Sequence, residues 1–151
     1  MTVYYCDCDL ATGDDDGGGD GTTRTDPTDA GNWTHAWKTF QQAIDGSTAA
    51  GDIVYCRGTE ASASVIDMDT VGGGASGTAA GGYVRFIGCN SSTGAVDGSY
   101  FIIDGTAGSD DCINWNARSY VWFENIKVQN AADDGIDMAN AYSDNCVFSN
   151  V

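Results

Sequence analysis

The chain has 151 residues, enough for one domain with a substantial core. Its 21 glycines against one proline, with 42% hydrophobic and only 19% charged residues, suit short strands and tight turns and exclude a disordered composition. Six Lys and Arg against 22 Asp and Glu leave a formal charge of −16, which excludes a basic nucleic-acid-binding face and disfavours polyanionic glycans unless cations bridge the two.

Val3-Tyr4-Tyr5-Cys6 alternates as a short strand. No basic, apolar and small-residue leader precedes it, and no apolar run is long enough to span a membrane. Delivery is therefore expected after removal of a leader, or by another route, as for virion proteins. From Asp7 to Asn32 the chain is acidic and glycine-rich, which predicts a solvated loop. Asp14, Asp16 and Asp20 within it are candidate calcium ligands, because carboxylates among flexible glycines suit a hard, oxygen-seeking cation. The spacing resembles the aspartate-rich calcium repeats of thrombospondins and departs from the EF-hand template.

Trp33, Ala36, Trp37, Phe40, Ala43 and Ile44 recur at spacings of three and four, predicting one amphipathic helix that Asn32 or Thr34 caps and Gly46 ends. So large an apolar load must lie on something, and the exposed end of a solenoid is such a surface. His35, the single histidine, reads as structural. Asp52-Ile53-Val54-Tyr55-Cys56-Arg57 is a strand similar to the first. Pairing the two in register makes Cys6 and Cys56 neighbours and a candidate disulfide, or else buried thiols. Cys6-Asp7-Cys8 is a weak metal signal by itself. Gly72-x-Gly74-x-x-Gly77 has no helix after it and does not read as a dinucleotide site.

From residue 83 the strands become regular: Tyr83–Ile87, Tyr100–Ile103, Cys112–Trp115, Tyr120–Phe123, Ile126–Val128, Ile136–Met138 and Cys146–Phe148. Asp110-Asp111-Cys112-Ile113 returns 23 residues later as Asp133-Asp134-Gly135-Ile136, and Glu124-Asn125 returns 20 residues later as Asp144-Asn145. A period of this size indicates a solenoid. The two steps place Ile113 beside Ile136, Ile126 beside Cys146, Val128 beside Phe148 and Asn125 beside Asn145.

Tyr4-Tyr5, the acidic loop, Ala36–Ile44 and Ala50–Gly58 occur in that order, followed by Tyr83–Gly88 and Ile102-Ile103-Asp104-Gly105. This series resembles the opening of pectate-lyase-like right-handed parallel β-helix proteins, a group of polysaccharide lyases, glycoside hydrolases, epimerases, phage tailspikes and adhesins. The resemblance implies an all-β fold, a right-handed parallel β-helix with an N-terminal capping α-helix. Residues 1–58 would form the cap and first strand, and 59–151 the coils, truncated or uncapped at the C-terminal end.

The functional expectations are thinner. Gly108-Ser109-Asp110-Asp111 resembles the aspartate pair of polygalacturonases, so Asp110 and Asp111, with Asp134 and Asp137, are candidate acid and base groups or calcium ligands. The accompanying glycine–histidine–glycine and basic motifs are absent, and the repeat explains the acids as turn formers. Trp115, Tyr120 and Trp122 would stack on sugar rings if they point outward. The expected function is a β-helix module of a larger extracellular or virion-surface protein, facing a polysaccharide or cell-surface glycan without a complete active site. The N-terminal part of a polysaccharide lyase or hydrolase, and a structural spike, are the alternatives. Calcium is the candidate cofactor; a homo-oligomer such as a trimer, or a capping partner, is the candidate assembly.

Overall fold

The computed structural model describes residues 1–10, 26–47, 49–62, 64–68, 76–108, 110–116, 118–138 and 145–151. It contains β1 (Val3–Asp7), α1 (Phe40–Gly46), β2 (Ile53–Arg57), β3 (Thr59–Ala61), β4 (Ile66–Asp67), β5 (Val84–Gly88) and β6 (Phe101–Asp104). There follow β7 (Ile113–Asn114), β8 (Val121–Glu124), β9 (Ile126–Gln129), β10 (Ile136–Asp137) and β11 (Val147–Ser149). The fold is predominantly β, and every pairing between strands among the described residues is parallel. One sheet has the order β1-β2-β5-β8-β11, a second β3-β6-β9 and a third β4-β7-β10. From β2 onward the chain visits the first, second and third sheets in that fixed order.

Parallel register stacks like on like. Val54, Phe86, Phe123 and Phe148 occupy one column, and Ile66, Ile113 and Ile136 another. Alternation sends their neighbours the other way, so Val121 and Phe123 are fully buried while Trp122 and Glu124 are only partly so.

The expected single helix is two pieces. A 3-10 turn over Ala30–His35 is capped by Asp29, and α1 begins after a capping box of Thr39 and Gln42. Neither Asn32 nor Thr34 is the cap. Between the pieces the chain is extended: Trp37 N–H donates to the Tyr5 carbonyl at 2.9 Å, and Asp7 N–H donates to the Trp37 carbonyl at 2.8 Å. Covering the open edge of β1 outweighs continuing the helix, because an unpaired edge leaves several backbone groups without partners. The expected apolar residues are buried nonetheless, with Phe40, Ala43 and Ile44 in the main core.

The step between Ile113 and Ile136 is as expected. The 20-residue step is not. β11 pairs with β8, placing Val147 beside Trp122, Phe148 beside Phe123 and Ser149 beside Glu124. β9, which holds Ile126 and Val128, belongs to another sheet and pairs with β6. This register extends the phenylalanine column and puts Asn150 over Asn125, whose amides bond at 2.7 Å. Asn145 is not the partner.

Asn125 is 7% exposed and has a φ of 53°, a left-handed backbone that asparagine tolerates. Asn125→Ala is expected to cost about 1–3 kcal/mol, through the lost amide bond and the backbone penalty. Asn125→Gly should recover the backbone part only. Thermal unfolding of the two variants separates these contributions.

Candidate functional site

The outward row of the five-stranded sheet carries the densest set of recognition-type side chains. Tyr83 enters β5 and Tyr120 enters β8, with ring centroids 5.8 Å apart. Trp122 meets Tyr83 edge-on at 5.8 Å. Arg85, directly beside Trp122 in register, lays its guanidinium over the indole at 4.6 Å and holds Glu124 at 2.9 Å. The Arg85 and Glu124 side chains are 34% and 25% exposed, so this ion pair adds orientation more than stability. Arg85 Nε and Trp122 Nε1 are buried without a hydrogen-bond partner among the described residues.

Of the three aromatic residues expected to meet glycan, Tyr120 and Trp122 lie on this face, both partly exposed. Trp115 does not. It is fully buried, its indole N–H donates to the Arg118 carbonyl at 3.2 Å, and its ring packs on Phe123 at 5.2 Å and Phe148 at 5.1 Å. It follows an inward isoleucine, Ile113, by two residues, and the period of two directs it inward as well. Tyr83, Arg85 and Glu124 were not expected in a site. Their signal was the similarity of Tyr83–Phe86 to Tyr120–Phe123, read with the alternation of buried and open positions.

Of the candidate acids, Asp110, Asp111 and Asp134 lie in the turns before β7 and β10, and Asp137 lies in β10 itself. Asp133 N–H donates to the Asp110 carbonyl at 2.7 Å, and Asp134 N–H donates to Asp111 Oδ1 at 3.0 Å. The Asp134 and Asp137 carbonyls accept from Cys112 and Trp115 N–H at 3.1 and 2.8 Å. Asp137 also stands beside Asn114, which stands beside Asp67 on β4. Asp110, Asp111 and Asp134 therefore hold one corner against the next.

The calcium candidates Asp14, Asp16 and Asp20 lie outside the described residues. Among those described, no group of three or more His, Cys, Asp or Glu side chains is placed to hold a metal ion. Cys6 and Cys56 are in-register neighbours, as expected, but both are free thiols and no disulfide joins them. Side chains directly opposed on parallel strands run alongside each other rather than toward each other.

A cleft of about 250 Å³ opens between the start of α1 and β3–β4. Its polar groups already serve the fold: Gln41 brackets the backbone of Asp67 with two bonds of 2.8 Å, and Glu60 accepts the Phe40 N–H at 2.6 Å. No helix among the described residues is long and apolar enough to cross a membrane. A scan of protein-family models finds no match, and searches of curated proteins and of solved structures find none either.

Proposed function

We propose that the chain winds as a right-handed parallel β-helix of the pectate-lyase-like kind, a module of a larger extracellular or virion-surface protein that binds a polysaccharide without cleaving it. The recurring visit to three parallel sheets supports the winding. The observation that carries the binding assignment is the Tyr83–Tyr120–Trp122 cluster with its Arg85–Glu124 pair on an outward sheet face. Aromatic rings offer flat apolar area to the C–H faces of sugars, while the charged pair offers donors and acceptors to hydroxyls. With a formal charge of −16, the preferred ligand is a neutral glycan.

The test is binding and product release across a panel of neutral and acidic polysaccharides. Binding of a neutral glycan without release of shorter products is expected. Tyr83→Ala with Tyr120→Ala should weaken it about tenfold, taking each ring as roughly 0.5–1.5 kcal/mol, with the melting temperature nearly unchanged. Release of oligosaccharides would replace this reading with that of a lyase or hydrolase. Binding to no member of the panel would favour a structural spike.

A further inference from the structure

Cys6 lies within β1 and Cys8 just past its end, so the alternation of an extended chain sends both side chains to the same face. A turn begins there. Leu10 N–H donates to the Asp7 carbonyl at 3.1 Å, while Cys8 N–H still follows β2 by donating to the Arg57 carbonyl at 3.2 Å. The Cys6 and Cys8 sulfurs are 3.8 Å apart, in contact. Cys6 is fully buried, whereas Cys8 is partly exposed, so a reagent from solvent meets Cys8 first. Cys56, the in-register neighbour of Cys6 on β2, is also fully buried, and its thiol is turned to the Val54 carbonyl at 3.8 Å. The Cys8 thiol donates to Glu60 Oε2 at 3.2 Å, and the same oxygen accepts the Phe40 N–H at 2.6 Å where α1 begins.

We propose that Cys6 and Cys8 form a redox pair whose oxidants are low-molecular-weight disulfides, and that closing it releases the Cys8–Glu60 contact at the start of α1. The Cys8 thiolate attacks one sulfur of the small disulfide, a mixed disulfide forms, and the first small thiol leaves with the Cys8 proton. The Cys6 thiolate then attacks the Cys8 sulfur, the Cys6–Cys8 bond forms, and the second small thiol leaves with the Cys6 proton. The protein gives up two electrons and two protons, and the small disulfide takes them as two thiols. A sulfur–sulfur bond of about 2.05 Å requires a closer approach than the reduced pair shows. The Cys8 side chain supplies it by turning away from Glu60. Glu60 then keeps the Phe40 N–H and loses the thiol donor, in the wall of the cleft beside α1. The Cys6 thiol beside it, and then burial, hold Cys8 above the ordinary thiol range, and burial does the same for Cys6. Exchange is therefore slow at neutral pH and quickens about tenfold per pH unit as the thiolate fraction grows.

The experiment incubates the full chain, fully reduced, with oxidised glutathione, blocks the remaining thiols by alkylation and maps the product by mass spectrometry. The expected result is the loss of two hydrogens, with Cys6 joined to Cys8, the other four cysteines alkylated, and full reversal by a small dithiol. Cys8→Ser keeps a hydroxyl donor for Glu60, so it should melt close to the wild type and form no internal bond. Cys146→Ser, whose sulfur lies 3.2 Å from the Arg118 carbonyl, should oxidise as the wild type does. Glu60→Gln removes a negative charge that helps to keep Cys8 protonated, and should speed the exchange several-fold at neutral pH. Alkylation of all six cysteines after incubation would overturn the proposal. So would a mixed disulfide that goes no further, a bond from Cys6 to Cys56, or an internal bond that survives Cys8→Ser. An unchanged rate in Glu60→Gln would overturn the coupling to Glu60.

Discussion

Phe40→Ala is expected to lower unfolding free energy by about 3–5 kcal/mol, among the largest losses available to a single substitution in this chain. Phe40 is fully buried, and its ring lies 5.2 Å from Phe86, 5.2 Å from Phe101 and 5.8 Å from Phe123. Phe86 and Phe123 belong to the five-stranded sheet, and Phe101 to the sheet of β3, β6 and β9. One side chain thus joins α1 to two sheets, and removing it leaves a cavity whose walls are fixed by strand pairing on two sides. Phe40→Leu keeps most of the contact and should cost clearly less. Urea titrations of both variants check the order. For a chain of this length each kcal/mol corresponds to roughly 2–4 °C in melting temperature.

Gly88→Ala should also be strongly destabilising, for a different reason. Gly88 ends β5, and a methyl there would overlap the Asn125 carbonyl oxygen and crowd the Phe101 N–H at 2.7 Å. Those two groups are hydrogen-bonded to each other at 3.0 Å, so the substitution strikes the link between β6 and the turn after β8. Backbone on both sides cannot yield as a flexible side chain would, and overpacking of this kind costs about 1–3 kcal/mol or more. Gly98→Ala is the informative control. Gly98 has a φ of 87° and open space around its Cβ position, so that variant bears the left-handed penalty alone, about 1–2 kcal/mol. Equal losses in the two variants would contradict the packing argument.

Much of the strand content was legible because inward positions alternate with partly open ones and turns carry asparagine, aspartate or glycine. The repeat of Asp110–Ile113 gave the correct partner for Ile113, since an acidic turn before a buried isoleucine marks one position on the sheet. The competing match of Glu124-Asn125 with Asp144-Asn145 misled, for a physical reason. Asn145 and Asn150 both adopt left-handed backbone, with φ of 57° and 54°. Either asparagine could therefore stand over Asn125, and only the tertiary fit of Phe148 on Phe123 chooses. The break at Trp37 was invisible for a similar reason. Spacings of three and four suit a 3-10 turn, an extended link and a short helix as well as one long helix. The edge of β1 that forces the break is remote from it in sequence.

The candidate site was legible in part. Tyr120 and Trp122 could be named as ring-bearing residues of a strand. Sending Trp115 inward, however, required knowing that it continues the phase of Ile113, and the Arg85 stack required the register of β5 on β8. The acids of 110–111 and 133–134 look alike in a catalytic pair and in a turn. The bonds from Asp133 and Asp134 to the corner before them identify the turn.

The register of β11 is the most direct point at which to test the account, because it sets both the core column and the outward row. Cross-strand proton contacts measured by NMR on labelled protein should link Val147 with Trp122 and Phe148 with Phe123, in the pattern of parallel strands. Contacts of Phe148 with Val128, or of Cys146 with Ile126, or an antiparallel pattern anywhere in the three sheets, would contradict it.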